Sequence, residues 1–160
     1  MGICIDYMAV GIMTNEQLQI YYDKFPAVLK EKLRNGVFCF PESTEFDYEP
    51  IEAHRMVIRK ERDTTPVGIN DMKSCFEKGK TPRGVVINEF NPLYYAVSLY
   101  QDIDMLKLCM DFSDPRKKIA RGYVNKEGGP RLIGKNTHIS WWLFDDADLS
   151  TFTIMENENE

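Results

Sequence analysis

The stretch His138-Ile139-Ser140-Trp141-Trp142-Leu143-Phe144 decides how the chain is read. It is short, almost wholly apolar and holds two tryptophans in seven residues, the composition of a buried strand. Working back from it, Ile119–Val124 reads as another strand, and Lys126-Glu127-Gly128-Gly129-Pro130 as the turn that follows. Working forward, Phe152 and Ile154 predict a final strand. The last third is therefore read as sheet.

The first two thirds alternate between signals. Residues 3–13 form a short apolar run that reads as a strand. Thr14 and Gln17 then make a capping box, and Leu18, Tyr21, Tyr22, Phe25, Val28, Leu29 and Leu33 recur at helical spacing until Gly36. Pro26 falls inside that pattern, where it deletes a backbone donor, so a kink or two consecutive helices is expected. Val37–Phe40 reads as a strand ended by Pro41. In residues 50–62, His54, Met56 and Ile58 alternate with Arg55, Val57 and Arg59, which favours strand over helix. Asn70 is read as the cap of a short helix ending near Gly79, and Val85–Ile87 as a strand. Asn91 and Pro92 open a helix expected to run through Leu93, Val97 and Tyr100. Leu106–Phe112 suits either a strand or a continuation of that helix. No linker divides the chain. The expected fold is α+β, a single domain over residues 1–155 with a mixed or antiparallel sheet and two to four helices, and residues 156–160 form an acidic polar tail.

A chain of 160 residues can bury one sizeable core, and 43% hydrophobic with 28% charged residues argues against disorder. No apolar run is long enough to span a membrane, and the first residues lack a basic-then-apolar leader pattern. Cys4, Cys39, Cys75 and Cys109 are far apart, which excludes the close cysteine pairs of a zinc site. Apolar neighbours on most of them predict buried thiols in a reducing cytoplasm. None has a His or a base beside it in sequence to activate a nucleophile.

The net charge of -5 is unevenly spread. Residues 145–160 hold Asp145, Asp146, Asp148, Glu156, Glu158 and Glu160 with no base. Residues 116–135 hold Arg116, Lys117, Lys118, Arg121, Lys126, Arg131 and Lys135 against Glu127 alone. A second basic patch, Arg55–Arg62, follows the acids Glu42, Glu45, Asp47, Glu49 and Glu52. The body is thus near neutral and able to meet an anion.

Gly79-Lys80-Thr81 looks like the end of a phosphate-binding loop, but Ser74 stands where the first glycine belongs and Pro82 follows where a helix should. Asp145, Asp146 and Asp148 lack the glycine and distal Glu of a calcium loop, so no metal is expected. The two histidines make the sharper constellation. His138 and Ser140 are two residues apart and so share one strand face, where an imidazole could move a proton while a hydroxyl binds a phosphate oxygen. His54 could supply the second imidazole, with the basic patch Arg55–Arg62 beside it and Arg121, Arg131 and Lys135 available as phosphate ligands.

Thr137-His138-Ile139-Ser140-Trp141 resembles one His-x-Ser/Thr element of the two-histidine phosphoesterases, and His54-Arg55-Met56 resembles the other with Met in place of Ser or Thr. The resemblance implies cleavage of cyclic or 2′,5′-linked phosphodiesters without metal, with His54 and His138 as acid and base. A ribonuclease with the same two histidines on another fold is a neighbouring expectation.

Two functions follow as expectations. The first is a small intracellular non-enzymatic binding protein of immunity, inhibitor or accessory type. It needs no cofactor and docks a protein partner, a basic one if the acidic segments form the contact. Trp141 and Trp142 point to opposite faces of a strand, so one is free to anchor an interface, with Asp145 and Asp146 beside it. The alternative is the metal-independent phosphodiesterase or ribonuclease acting on a nucleotide or RNA through His54, His138 and Ser140. Two imidazoles facing one open cleft would mark the second.

Overall fold

A computed structural model describes residues 15–79 and 88–156 of the protein. Within them six antiparallel strands form one sheet: β1 (Ile51–Ile58), β2 (Val97–Tyr100), β3 (Lys117–Val124), β4 (Arg131–Ile133), β5 (His138–Trp141) and β6 (Thr153–Ile154). Their order across the sheet is β4-β5-β2-β1-β3-β6. Four α-helices accompany them: α1 (Asn15–Asp23), α2 (Ala27–Arg34), α3 (Cys75–Lys78) and α4 (Ile103–Cys109). The expected α+β class is what the chain forms, and of the mixed or antiparallel sheet left open by the sequence it forms the antiparallel one. The strands expected at 3–13 and 85–87, with Thr14, Lys80 and Thr81, lie outside the described residues.

Alternation in β1 places Ala53 and Val57 on one face and His54 and Met56 on the other. Pairing with β3 sets Ala53 opposite Gly122 and Arg55 opposite Ala120, so this face is lined by small residues. The aromatic ring of Phe152 lies where a Cβ on Gly122 would stand. One buried cluster covers that face, including Leu99, Ile139, Trp141, Leu143 and Phe152. A second is built from α2 and the segment after it, with Phe25, Leu29, Leu33, Phe38 and Phe40 around Tyr95, Trp142 and Phe144. Pro26 sits at the N-cap of α2, so the helical pattern splits into two consecutive helices there.

Three readings need correction. Val37–Phe40 joins no strand, and Phe38 and Phe40 are buried in the second cluster instead, because aromatic packing holds them without a ladder. The helix expected from Asn91 to Tyr100 stops after a single 3-10 turn, Pro92–Tyr95. Asn91 caps it as expected, but Val97 and Leu99 then face the core between β1 and β5, and cross-strand pairing overrides the cap. The strand at His138 ends at Trp141 rather than Phe144, and Arg131–Ile133 is an additional strand paired with it. Of Leu106–Phe112, only Leu106–Cys109 are helical, and they belong to the separate helix α4 rather than to a continuation of the earlier one; Asp102 caps α4, its carboxylate accepting from the Asp104 N–H at 2.8 Å.

Both tryptophans are fully buried. Trp141 Nε1 donates to the Gly129 carbonyl at 3.2 Å and Trp142 Nε1 to the Pro92 carbonyl at 2.9 Å. The Gly129 carbonyl also accepts from the Tyr48 hydroxyl at 2.6 Å. Gly129 has φ 136, and a Cβ there would overlap the Trp142 carbonyl, so only glycine allows this close approach. Cys39 is in a disulfide, whereas Cys75 and Cys109 are free and Cys109 is exposed. The expectation of buried thiols therefore fails at Cys39 and Cys109. No helix among the described residues is long and apolar enough to cross a membrane.

Candidate functional site

Strand register brings the predicted polar residues into one row. Tyr100 pairs with both His54 and His138, and His54 also pairs with Arg121, which in turn pairs with Thr153. Directly paired residues share a face, so the two histidines and Arg121 lie on the same side of the sheet. Ser98 and Ser140 pair in the next row of that face. The histidines are two strand spacings apart, about 10 Å, with Tyr100 between them.

The two imidazoles have different surroundings. His54 is only 6% exposed. Its Nδ1 lies 3.1 Å from the Gln101 carbonyl and 3.3 Å from that of Tyr100, so it carries the proton, because carbonyls only accept. Helix α4 packs against β1 and β2. His54 therefore does not look onto an open cleft with His138, and the arrangement expected of an acid–base pair around a phosphate is not formed. His138 is half-buried, and burial lowers its pKa below the ordinary 6.5, which keeps the ring neutral at pH 7. Its Nε2 is 2.6 Å from Ser98 Oγ. The hydroxyl partner of His138 is thus Ser98, across the sheet, and not the buried Ser140 beside it in sequence. The Tyr100 ring meets His138 edge-on at 5.1 Å, and burial pushes the Tyr100 hydroxyl up to about 12.

The cations read as phosphate ligands divide in the same way. Arg131 is buried, its guanidinium stacked 3.9 Å from the Tyr48 ring centroid, and its main chain bridges Glu45. Lys126 meets Asp47 at 2.8 Å, so part of the acidic 42–52 stretch is engaged within the molecule. Arg121 and Lys135 are exposed. Arg55 is buried and donates to the main-chain carbonyls of Asp71 (2.7 Å), Ser98 (2.6 Å) and Lys73 (3.0 Å). Burial lowers its guanidinium to about 10. Arg59 grips both Asp71 carboxylate oxygens at 2.7 and 2.8 Å. Within the basic patch Arg55–Arg62, Arg55 and Arg59 are therefore architecture, while Lys60 and Arg62 are exposed.

No family model, no curated protein and no solved structure matches the chain. The site must be argued from its own geometry.

A largely apolar groove of about 470 Å³ opens where the two hydrophobic clusters meet without closing. Met72 and Val97 reach its floor from one cluster, Tyr95 and Phe144 from the other. Val28 and Ile69, each 49% exposed, form its lips. Asp145 stands at the mouth and Asp146, also exposed, follows it; Lys73 and Glu77 complete the wall. Of the four residues expected at an interface, the two aspartates are available, while Trp141 and Trp142 lie in the core and present no surface. Neither Val28 nor Ile69 was legible as a docking residue, since each looks like a core position in sequence. Among the described residues no three His, Cys, Asp or Glu side chains converge to hold a metal.

Proposed function

We propose that this protein is a non-enzymatic binding protein, of immunity, inhibitor or accessory type, that docks a protein partner in the groove between its two cores. The observation that supports this is the groove's chemistry: an apolar floor continuous with the core, exposed apolar lips, and Asp145 at the mouth with Asp146 next to it in the chain. Exposed apolar surface rimmed by polar groups is where partners bind. The fitting partner segment offers a large apolar side chain with a Lys or Arg close by, the apolar group covering Val28 and Ile69 and the base meeting Asp145 and Asp146.

Selection of a displayed peptide library on the wild type, counter-selected on Val28→Glu, tests this. Enriched peptides should pair a bulky apolar residue with a neighbouring base. They should lose at least about tenfold in affinity on Ile69→Glu and less on Asp145→Lys. Enrichment of acidic peptides, or equal binding to the Val28→Glu protein, would overturn the proposal.

A second reading is favoured by the 2.6 Å Ser98–His138 pair, a hydroxyl within reach of a neutral imidazole. In that reading Ser98 is a nucleophile in a hydrolase and His138 its base. A fluorophosphonate probe should then label Ser98 in the wild type and not in His138→Gln. An unlabelled wild type leaves only binding.

A further inference from the structure

One wall of the docking groove belongs to no strand. Ile69, Met72, Lys73 and Ser74 line it from the connection that follows β1. Among the described residues, no main-chain hydrogen bond joins residues 60–73 to another element. Val67 and Met72 bury their side chains in the first cluster, but apolar burial is non-directional and does not by itself fix a backbone.

Direction comes from two buried guanidiniums. The Arg59 Nε donates to the Thr65 carbonyl at 3.0 Å and a terminal nitrogen to the Pro66 carbonyl at 3.1 Å. Its two terminal nitrogens also grip the Asp71 carboxylate oxygens at 2.7 and 2.8 Å. That carboxylate accepts from the Gly68 N–H at 2.9 Å, and the Asp71 N–H donates back to the Gly68 carbonyl at 2.9 Å. Ile69, a lip of the groove, stands inside the turn so closed, and its carbonyl accepts from the Met72 N–H at 3.0 Å. Arg55 then holds the carbonyls on either side of Met72, those of Asp71 and Lys73, and with the same fork the carbonyl of Ser98, next to Val97. Met72 and Val97, two floor residues from distant segments, are thus spaced by one side chain. Neither arginine lines the groove, and nor does Asp71. A lysine could meet Asp71 but lacks the planar fork that reaches the carbonyls as well.

We propose that Arg59, acting through Asp71, is a positioning residue of the groove: it sets where the Ile69 lip and the Met72 floor stand, and so how tightly the groove holds an apolar side chain that it never touches. The grip rests on the docking reading; the positioning does not. Arg59 is the residue to change, because Arg55 also holds β2 and its loss reaches the sheet. Amide hydrogen exchange on the full chain comes first. In Arg59→Gln the Gly68, Asp71 and Met72 amides should exchange at least about tenfold faster, beyond any acceleration in the β1–β3 ladder, since a general loss of stability would speed the ladder too. Arg59→Lys, which keeps the charge and loses the fork, takes its place if Arg59→Gln does not fold. Peptides enriched on the wild type come second. Arg59→Gln should weaken them at least about tenfold, a loss that overlaps with that of Ile69→Glu in the double variant. It should add in full to the loss from Asp145→Lys, whose own main chain is held elsewhere, on the Lys24 carbonyl. Unchanged exchange at those three amides, or acceleration no greater than the ladder's, overturns the positioning. Shifted exchange with peptide affinity unchanged overturns its bearing on the groove. A wild type that enriches no peptide overturns the docking reading alone, and the exchange result still decides the positioning.

Discussion

The cations in and just after β1 and those of α4 and the start of β3 look alike in sequence and behave oppositely in the fold. Arg55 and Arg59 are buried, and each is ringed by acceptors: three carbonyls for Arg55, and Asp71 with neighbouring carbonyls for Arg59. The Lys107 and Lys118 side chains have no ion-pair or hydrogen-bond partner among the described residues. A guanidinium presents five donors in a rigid fork, so one side chain can satisfy several loop carbonyls and tie residues 65–73 to the sheet. An ammonium is a mobile point charge that holds little in place and stays available. A matched cation ties segments together, and an unmatched one adds little to the fold.

The largest effect should come from Arg55→Ala. It leaves three main-chain carbonyls without their donor in a buried setting and should cost about 3 kcal/mol in denaturant unfolding. Lys118→Ala should change stability by no more than about 0.5 kcal/mol. Equal losses at the two positions would break the contrast.

Acid titration sharpens it next. The Arg59 guanidinium holds the Asp71 carboxyl below its ordinary 3.8. The unfolded chain therefore takes up this proton first, so the pair's stabilisation is present above that value and is lost as pH falls below it toward the folded value. Asp71→Asn should lose about 2 kcal/mol at neutral pH and show a shallower further loss in acid, measured by melting across that range. A parallel acid limb in both proteins would remove the pair from the account.

The smallest effect concerns a weaker base. Burial holds His138 below the ordinary 6.5, so the unfolded state binds the proton more readily and stability falls as pH drops below 6.5. The His138 ring signal should titrate below 6.5 by NMR, and His138→Gln should lack that part of the acid loss. A ring titrating at or above 6.5 would show that burial is not decisive there.

Much of the sheet was legible because its strands announce themselves locally. Alternation in Ile51–Ile58, β-formers in Ile119–Val124 and the Phe152–Ile154 pair all lie where strands form. Val97–Tyr100 was not legible, since Asn91 and Pro92 open a helical turn and nothing local says that β1 and β5 will capture the residues after it. The polar row was legible as residue types only: His54, His138 and Arg121 do share a face, yet the burial of His54 depends on α4 and on a carbonyl at the end of β2. Ser98 carries no local signal because its partner His138 lies forty residues away.

The sequence by itself determined the α+β class, the break at Pro26, the turn at Gly128-Gly129 and the segregation of charge, because each rests on neighbours within a few residues. Only the tertiary structure decided which cations are matched, that both tryptophans are core, and where the two clusters leave a groove. Those outcomes depend on which distant segments meet, and a side chain's capacity to bind is set by what surrounds it after they have met.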